Sequence, residues 1–272
     1  MGLRCDDMRA LLLAAGLGTR LQPLTNYLPK CLVPINGRPL LDYWLETLLD
    51  NGIEEVLINT HYMAPMVQKY LHHSTWSSRV KLVHEEILLG TGGTILKNHE
   101  FFKDEPFLVA HADNLTIFNM QDFIKQHACR PKGSELTMMV FETPDPQSCG
   151  IVSLDNKRVV QTFHEKVANP PSNLANGAVY IIEPSVIHWM VSLGKTEVDL
   201  SNDVIPCYLR RIFTFHNAMY HRDIGTMKSW AESNNDFPKL SASQQNIDAW
   251  KEVMACNEGR LVDGLVVSLN LS

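Results

Sequence analysis

Short apolar runs alternate with amphipathic stretches through the first half of this chain, and that alternation constrains its fold more than any other feature. Residues 9–15 are an apolar run closed by Gly16, a buried strand in character. Residues 40–50 carry Leu41, Trp44, Leu45, Leu48 and Leu49 at helical spacing, with Pro39 at the first turn and Asn51-Gly52 as the stop. The pattern then predicts strands over 55–60, 79–85 and 106–110, with helices over 64–73 and near 92–98. Such alternation calls for parallel strands joined by helical crossovers, hence a three-layer α/β fold. The second half is less regular. It predicts strands at 135–142 and 176–182 and a hairpin of 151–154 with 158–163 around Asp155-Asn156-Lys157. Helices are predicted over 184–193, 199–210, 226–232 and 244–256, with 211–222 extended and 257–272 unassigned.

Composition narrows the possibilities. With 272 residues, 45% of them hydrophobic, the chain can bury one substantial core. A net charge of −6 without a basic run argues against nucleic-acid binding, so any bound phosphate must meet locally concentrated cations. No apolar run near the N-terminus could span a bilayer, and no membrane partner is expected. Residues 1–8 hold Arg4, Asp6 and Asp7 and no apolar stretch, so they do not read as a signal peptide; Met8 is an alternative start. Cys5, Cys31, Cys129, Cys149, Cys207 and Cys256 are scattered, with no Cys-x-x-Cys pair, the usage of a reduced, cytoplasmic protein.

The first strand ends at Ala14 and Ala15 and runs into Gly16-Leu17-Gly18-Thr19-Arg20, followed by Pro23-Leu24-Thr25 and Pro29-Lys30. Glycines at the carboxyl end of a strand allow a sharp turn that aims backbone amides at a phosphate. Leu21 stands where a dinucleotide fingerprint needs a third glycine, and no Lys-Ser/Thr pair follows as in a P-loop. Arg20 and Lys30 add two cations to the same loop, suited to a triphosphate. The bland alternative is a tight turn with two solvated basic residues.

This stretch resembles the start of the sugar-1-phosphate nucleotidylyltransferases, and Glu85-Glu86 with Leu89-Gly90-Thr91-Gly92-Gly93 looks most like the guanylyltransferases for mannose or heptose 1-phosphate among them. Four later segments resemble the same family in its order: residues 85–94, His111-Ala112-Asp113-Asn114, Glu165-Lys166 with residues 176–180, and Asp223-Ile224-Gly225-Thr226. The resemblance covers residues 8–232. It implies a Rossmann-like, glycosyltransferase-A-like fold with a mixed, mostly parallel sheet, and residues 233–272 are expected to be a helical extension packed on the same domain. It also implies transfer of a nucleoside monophosphate to a sugar 1-phosphate with release of pyrophosphate, assisted by Mg²⁺. On this likeness Ala14, Ala15, Gly16, Gly18, Thr19, Arg20, Glu85, Gly90 and Thr91 hold the nucleotide. Asn114, Gly150, Glu165, Lys166 and Asn176 hold the sugar phosphate, Asp113 and Asp223 hold the metal, and Arg20, Lys30 and Lys166 are catalytic.

Each residue also has a plain structural reading. Asp113 and Asp223 could be turn or cap residues. Glu165 could pair locally instead of touching sugar hydroxyls. His111 reads as structural or as lying behind the metal ligands, because Mg²⁺ prefers oxygen. Asn114 and Cys149-Gly150 depart from the family pattern, which leaves the sugar open. A carboxylate offers only acceptors, and guanine presents two adjacent donors, so Glu85 favours GTP over UTP or dTTP. The rival readings are a transferase for another phosphorylated acceptor, a nucleotide-sugar-binding module without catalysis, and a Rossmann oxidoreductase. Thr60 and His61 count against the last, standing where an acidic residue would be needed. A homo-oligomer is compatible with the sequence.

Overall fold

The apolar run after Met8 is buried on both faces, which only a central strand requires. In a computed structural model, which describes residues 8–255, 261, 262 and 264, it is β1 (Ala10–Leu13). Ala10 and Leu12 join one hydrophobic core and Leu11 the other, as the two-residue period of a strand dictates. A small hairpin of β2 (Pro34–Ile35) and β3 (Arg38–Pro39) leads into α1 (Leu40–Leu49). There follow β4 (Val56–Thr60), α2 (Ala64–His73), β5 (Val80–His84), α3 (Gly90–Lys97) and β6 (Phe107–His111). Each helix between them is a crossover, and β1 pairs in parallel with β4 and β6, and β4 with β5. The carboxyl ends of β1, β4 and β6 therefore open on one edge, where ligands of such sheets bind.

The second half completes a mixed sheet. β7 (Asn114–Ile117) and α4 (Met120–Ala128) are followed by β8 (Leu136–Glu142), β9 (Gly150–Leu154), β10 (Val160–Glu165) and β11 (Leu174–Ile182). The strand order is β10-β9-β11-β6-β1-β4-β5, with β8 also pairing β11. β11 is antiparallel to β6, β8 and β9. α5 (Pro184–Ser192) packs into the second core, on the side of α3. The expected α/β fold with helices on both faces of a mixed sheet is what forms.

Two local expectations are corrected. The stretch 199–210 is not a regular helix: a five-residue π turn (Leu200–Val204) passes into a 3₁₀ turn (Ile205–Tyr208) that holds Pro206. A proline donates no backbone hydrogen bond and blocks a continuous α-helix. The stretch 211–222 is not one extended segment but β12 (Ile212–His216), parallel to β8, and β13 (Tyr220–Asp223), antiparallel to β7 in a separate ribbon. Asn217 makes the break: its Oδ1 accepts from the Met219 amide and its Nδ2 donates to the Tyr220 carbonyl. The strand β7 and helix α4 went unassigned in the sequence. α6 (Met227–Asp236) carries a Thr226–Ser229 capping box, and α7 (Gln244–Met254) lies against α2 with Trp250, Val253 and Met254 in the first core. Of the extension expected over 233–272, the end of α6 and the whole of α7 are described and helical, whereas Cys5, Cys256 and most of residues 257–272 lie outside the described residues.

Candidate active site

The glycine loop leaves β1 with its two glycines in different situations. A Cβ on Gly16 would meet nothing within 4 Å, whereas Gly18 sits at φ +65° and its Cβ would come within 2.8 Å of Thr25. The Gly18 carbonyl accepts the Thr25 hydroxyl at 2.8 Å. Gly18 thus folds the loop back on itself and brings residue 30 close. Lys30 opens a short 3₁₀ turn after Pro29 and is nearly buried.

Its ammonium is the electrostatic centre of the site. Nζ lies 2.6 Å from Asp113 Oδ2 and 3.3 Å from Asp223 Oδ1, and Arg20 approaches the other Asp223 oxygen at 4.0 Å. Burial alone would lower the Lys30 pKa, but the two carboxylates outweigh it and hold it above its ordinary value. Burial likewise works against ionised Asp113, yet Lys30, His111 and its hydrogen bonds keep its pKa below the usual range. Asp113 follows β6, and Asp223 ends β13. The pairing of Asn114 with Asp223, and the bond from the Ile224 amide to the Asp113 carbonyl (3.0 Å), bring the two acids to one point.

One lobe of the cleft, about 200 Å³, lies between the glycine loop and the segment after β5. Ala14, Ala15 and Gly16 form one wall, with Glu85, Gly90 and Thr91 opposite. Asn59, at the end of β4, ties the walls together. Its Oδ1 accepts from the Ala14 amide (2.7 Å) and its Nδ2 donates to Glu85 Oε1 (3.1 Å). Thr94 donates to the same oxygen at 2.6 Å. The buried Glu85 carboxylate is therefore fixed in place, while its second oxygen makes, among the described residues, one long contact, 3.4 Å from the Leu89 amide. Sequence reading missed Asn59; its one available signal was a polar residue inside a fully buried strand.

A second lobe of about 290 Å³ adjoins the first and shares His111 and Asp113 with it. Arg20, Asn114, Glu165, Lys166, Asn176 and Asp223 all face it. Gly150 lies under Glu165, where a Cβ would come within 2.6 Å of both the carboxylate and the Phe163 ring. Lys166 takes the left-handed conformation (φ +48°), and its side chain is mostly exposed, 3.2 Å from Glu165. Asp199, Asn202 and His221 line the same lobe, and no sequence motif marked them. Burial drives the His221 imidazole down to about 4, so it is neutral near pH 7.

Arg20, Lys30, Lys166, Asp113 and Asp223 thus meet around a single cleft, together with most of the other predicted residues. Gly18 and Thr19 do not line either lobe; they shape the loop behind it. Thr91 reaches the first lobe, but its hydroxyl also donates to Asp199 (3.2 Å) and accepts from the Leu200 amide (2.7 Å). Gly92 and Gly93 donate to the Val198 carbonyl, so the glycines of that motif serve close packing on residues 196–200. Among the described residues no group of three or more His, Cys, Asp or Glu side chains is placed to hold a metal. Asp113 and Asp223 supply two carboxylates, a hard-oxygen pair of the kind Mg²⁺ takes when phosphates and water complete its shell.

Comparison with known proteins fits this geometry. The family model described as nucleotidyl transferase matches residues 9–239. A mannose-1-phosphate guanylyltransferase of Mycobacterium tuberculosis is 30% identical over 232 residues, 84% of this chain and 64% of the relative. A UTP–glucose-1-phosphate uridylyltransferase of Synechocystis is 32% identical over 215 residues, 73% of this chain and 54% of the relative. The chain therefore spans less than two thirds of the length of these curated relatives. Among solved structures, HddC from Yersinia pseudotuberculosis, complexed with GMP-PN, superposes with a TM-score of 0.72 at 24% identity, over 85% of this chain and all of that one.

Proposed function

The chain belongs to the nucleotidyl transferase family, and on that premise we propose that it transfers GMP from GTP to a sugar 1-phosphate of the mannose or heptose type. A phosphate oxygen of the sugar 1-phosphate attacks the α-phosphorus of the triphosphate. The bond from the α-phosphorus to the bridging oxygen breaks, and pyrophosphate leaves with its electrons. The observation that carries this reading is the Lys30 ammonium set between Asp113 and Asp223, with Arg20 and Lys166 on the same cleft.

Two polyanions must be brought together, so repulsion and alignment are the main obstacles. Arg20 and Lys30 are assigned to the triphosphate and the departing pyrophosphate, and Lys166 to the sugar phosphate. The incoming phosphate is already ionised, so no side chain has to remove a proton. Alignment in one cleft can contribute about 7–11 kcal/mol to the rate. Asp113 and Asp223 would hold Mg²⁺, which when bound supplies charge neutralisation across the phosphates. The glycine loop and Ala14, Ala15 and Gly16 provide the nucleotide wall, while Asn114, Glu165 and Asn176 offer hydrogen bonds to sugar hydroxyls.

GTP is favoured because Glu85 presents only acceptors at the wall of the nucleotide lobe and, with Oε1 held by Asn59 and Thr94, its Oε2 is the oxygen left for a guanine N–H. The relative named as a guanylyltransferase and the GMP-PN bound to HddC support the same choice. The uridylyltransferase relative supports UTP as the second reading. A cytoplasmic enzyme is proposed, in keeping with the free Cys31, Cys129, Cys149 and Cys207 and with soluble phosphorylated substrates. No described helix is long and apolar enough to cross a membrane.

The test is a panel of GTP, UTP and dTTP against sugar 1-phosphates with Mg²⁺, read by pyrophosphate release. Mannose or heptose 1-phosphate with GTP should give the highest kcat/KM. Faster turnover with UTP would move the nucleotide assignment, and no pyrophosphate with any pair would remove the activity.

A further inference from the structure

We propose that Tyr180 is a positioning residue for the sugar-phosphate lobe: its buried phenol anchors the Asn176 amide, which leaves one defined N–H for the acceptor substrate. The proposal rests on reading that lobe as the sugar-phosphate site.

The hydrogen-bond chemistry fixes the orientation of the amide. The Ala178 backbone N–H can only donate, so the Asn176 atom it reaches at 2.9 Å must be the carbonyl oxygen Oδ1. The amide nitrogen is then the atom 2.7 Å from the Tyr180 oxygen, and the phenol is the acceptor of that bond. One of two N–H groups is thereby used. The other is the donor that Asn176, which lines the cleft, keeps for a ligand. Tyr180 is 2% exposed and is not itself part of the cleft wall, so it acts through Asn176.

This contact exists only because β11 is irregular. Residues four apart in a regular strand are separated by about 13 Å, beyond side-chain hydrogen-bond reach. The pairing of β11 with β8 slips between Asn176 and Tyr180, and Ala178 takes φ +50°, a conformation seldom adopted by a residue with a Cβ. Asn114 pins the irregular segment from the other side, donating to the Gly177 carbonyl at 3.1 Å. Backbone strain that persists at a cleft marks a segment whose surroundings over-determine it. Here the irregularity brings the phenol beneath the amide. Burial also lifts the Tyr180 phenol well above its ordinary range, so it stays neutral and able to accept.

The test combines Tyr180→Phe with an observation on the amide itself. In the wild-type protein the two Asn176 side-chain protons should exchange with solvent at different rates, the one facing Tyr180 being protected. In Tyr180→Phe that difference should vanish. KM for mannose 1-phosphate should rise about tenfold, with kcat and the KM for GTP within twofold of wild type. In an Asn176→Ala background Tyr180→Phe should add no further change, because the partner is already gone. Equal exchange of the two protons in wild type, an unchanged KM for mannose 1-phosphate in Tyr180→Phe, or an equal loss in both KM values overturns the proposal. Wild-type protein that turns over no sugar 1-phosphate overturns instead the reading of the lobe on which it rests.

Discussion

Lys166 shows how a single side chain can matter to chemistry and hardly at all to folding. Its side chain is 64% exposed, and among the described residues its ion pair is with the partly exposed Glu165 at the cleft. Lys166→Ala should therefore unfold at nearly the wild-type temperature. Turnover with a sugar 1-phosphate should fall about 10²–10³-fold, the usual consequence of removing one preorganised charge from a phosphate-transfer site. Melting and steady-state kinetics on the same preparation separate the two effects, and full activity would take Lys166 out of the mechanism. Lys30 is the opposite case. It is nearly buried between two acids, so its removal would leave Asp113 without its closest counter-charge, and stability and turnover would fall together. The glycine loop made Lys30 legible as a candidate, and the family resemblance did so for Lys166. Only their surroundings distinguish the exposed one from the buried one.

Among the elements, the loops at the carboxyl edge of the sheet carry the site, and their glycines are not equivalent. Open space surrounds Gly16, while a Cβ at Gly150 would collide with Glu165 and Phe163. Gly16→Ala should leave the melting temperature within about a degree, since surface changes without new contacts fall within about 0.5 kcal/mol. Gly150→Ala should displace the Glu165 carboxylate, lower the melting temperature by several degrees and raise KM for the sugar phosphate more than KM for GTP. Equal behaviour of the two variants would contradict this geometry. In the sequence both positions are glycines beside a strand, with nothing to tell them apart. The same limit explains the stretch 199–210. Its composition suits a helix, but Pro206 and the Asp199 cap, whose Oδ1 accepts from the Asn202 amide, reduce it to short turns against α3.

At the scale of the whole molecule, α7 is tied back onto the N-terminal half by a buried acid. Asp42 on α1 is fully buried. It accepts from Arg38 (2.6 Å), from Trp76 (2.6 Å) and from Asn246 of α7 (2.9 Å). Asp42→Ala would leave the buried Trp76 and Asn246 donors without their acceptor and Arg38 with Glu46 as its remaining carboxylate partner (2.9 Å), with an expected loss of about 2–4 kcal/mol, measurable by chemical denaturation. Molecules that remain folded should keep wild-type KM values, because no member of this network lines the cleft. The fold class, most strands and helices, and the glycine loop with Arg20 and Lys30 were legible in the sequence, because local periodicity and residue chemistry act over a few neighbours, while Asp113, Lys166 and Asp223 became candidates only through the family resemblance. The meeting of Asp113 with Asp223, the clamp of Asn59 on Glu85, the recruitment of Asp199 and His221, and the contact of Tyr180 with the Asn176 amide were decided by the tertiary structure. These contacts join residues far apart in the chain or depend on an irregular strand, and their geometry follows from strand register and packing rather than from any local pattern.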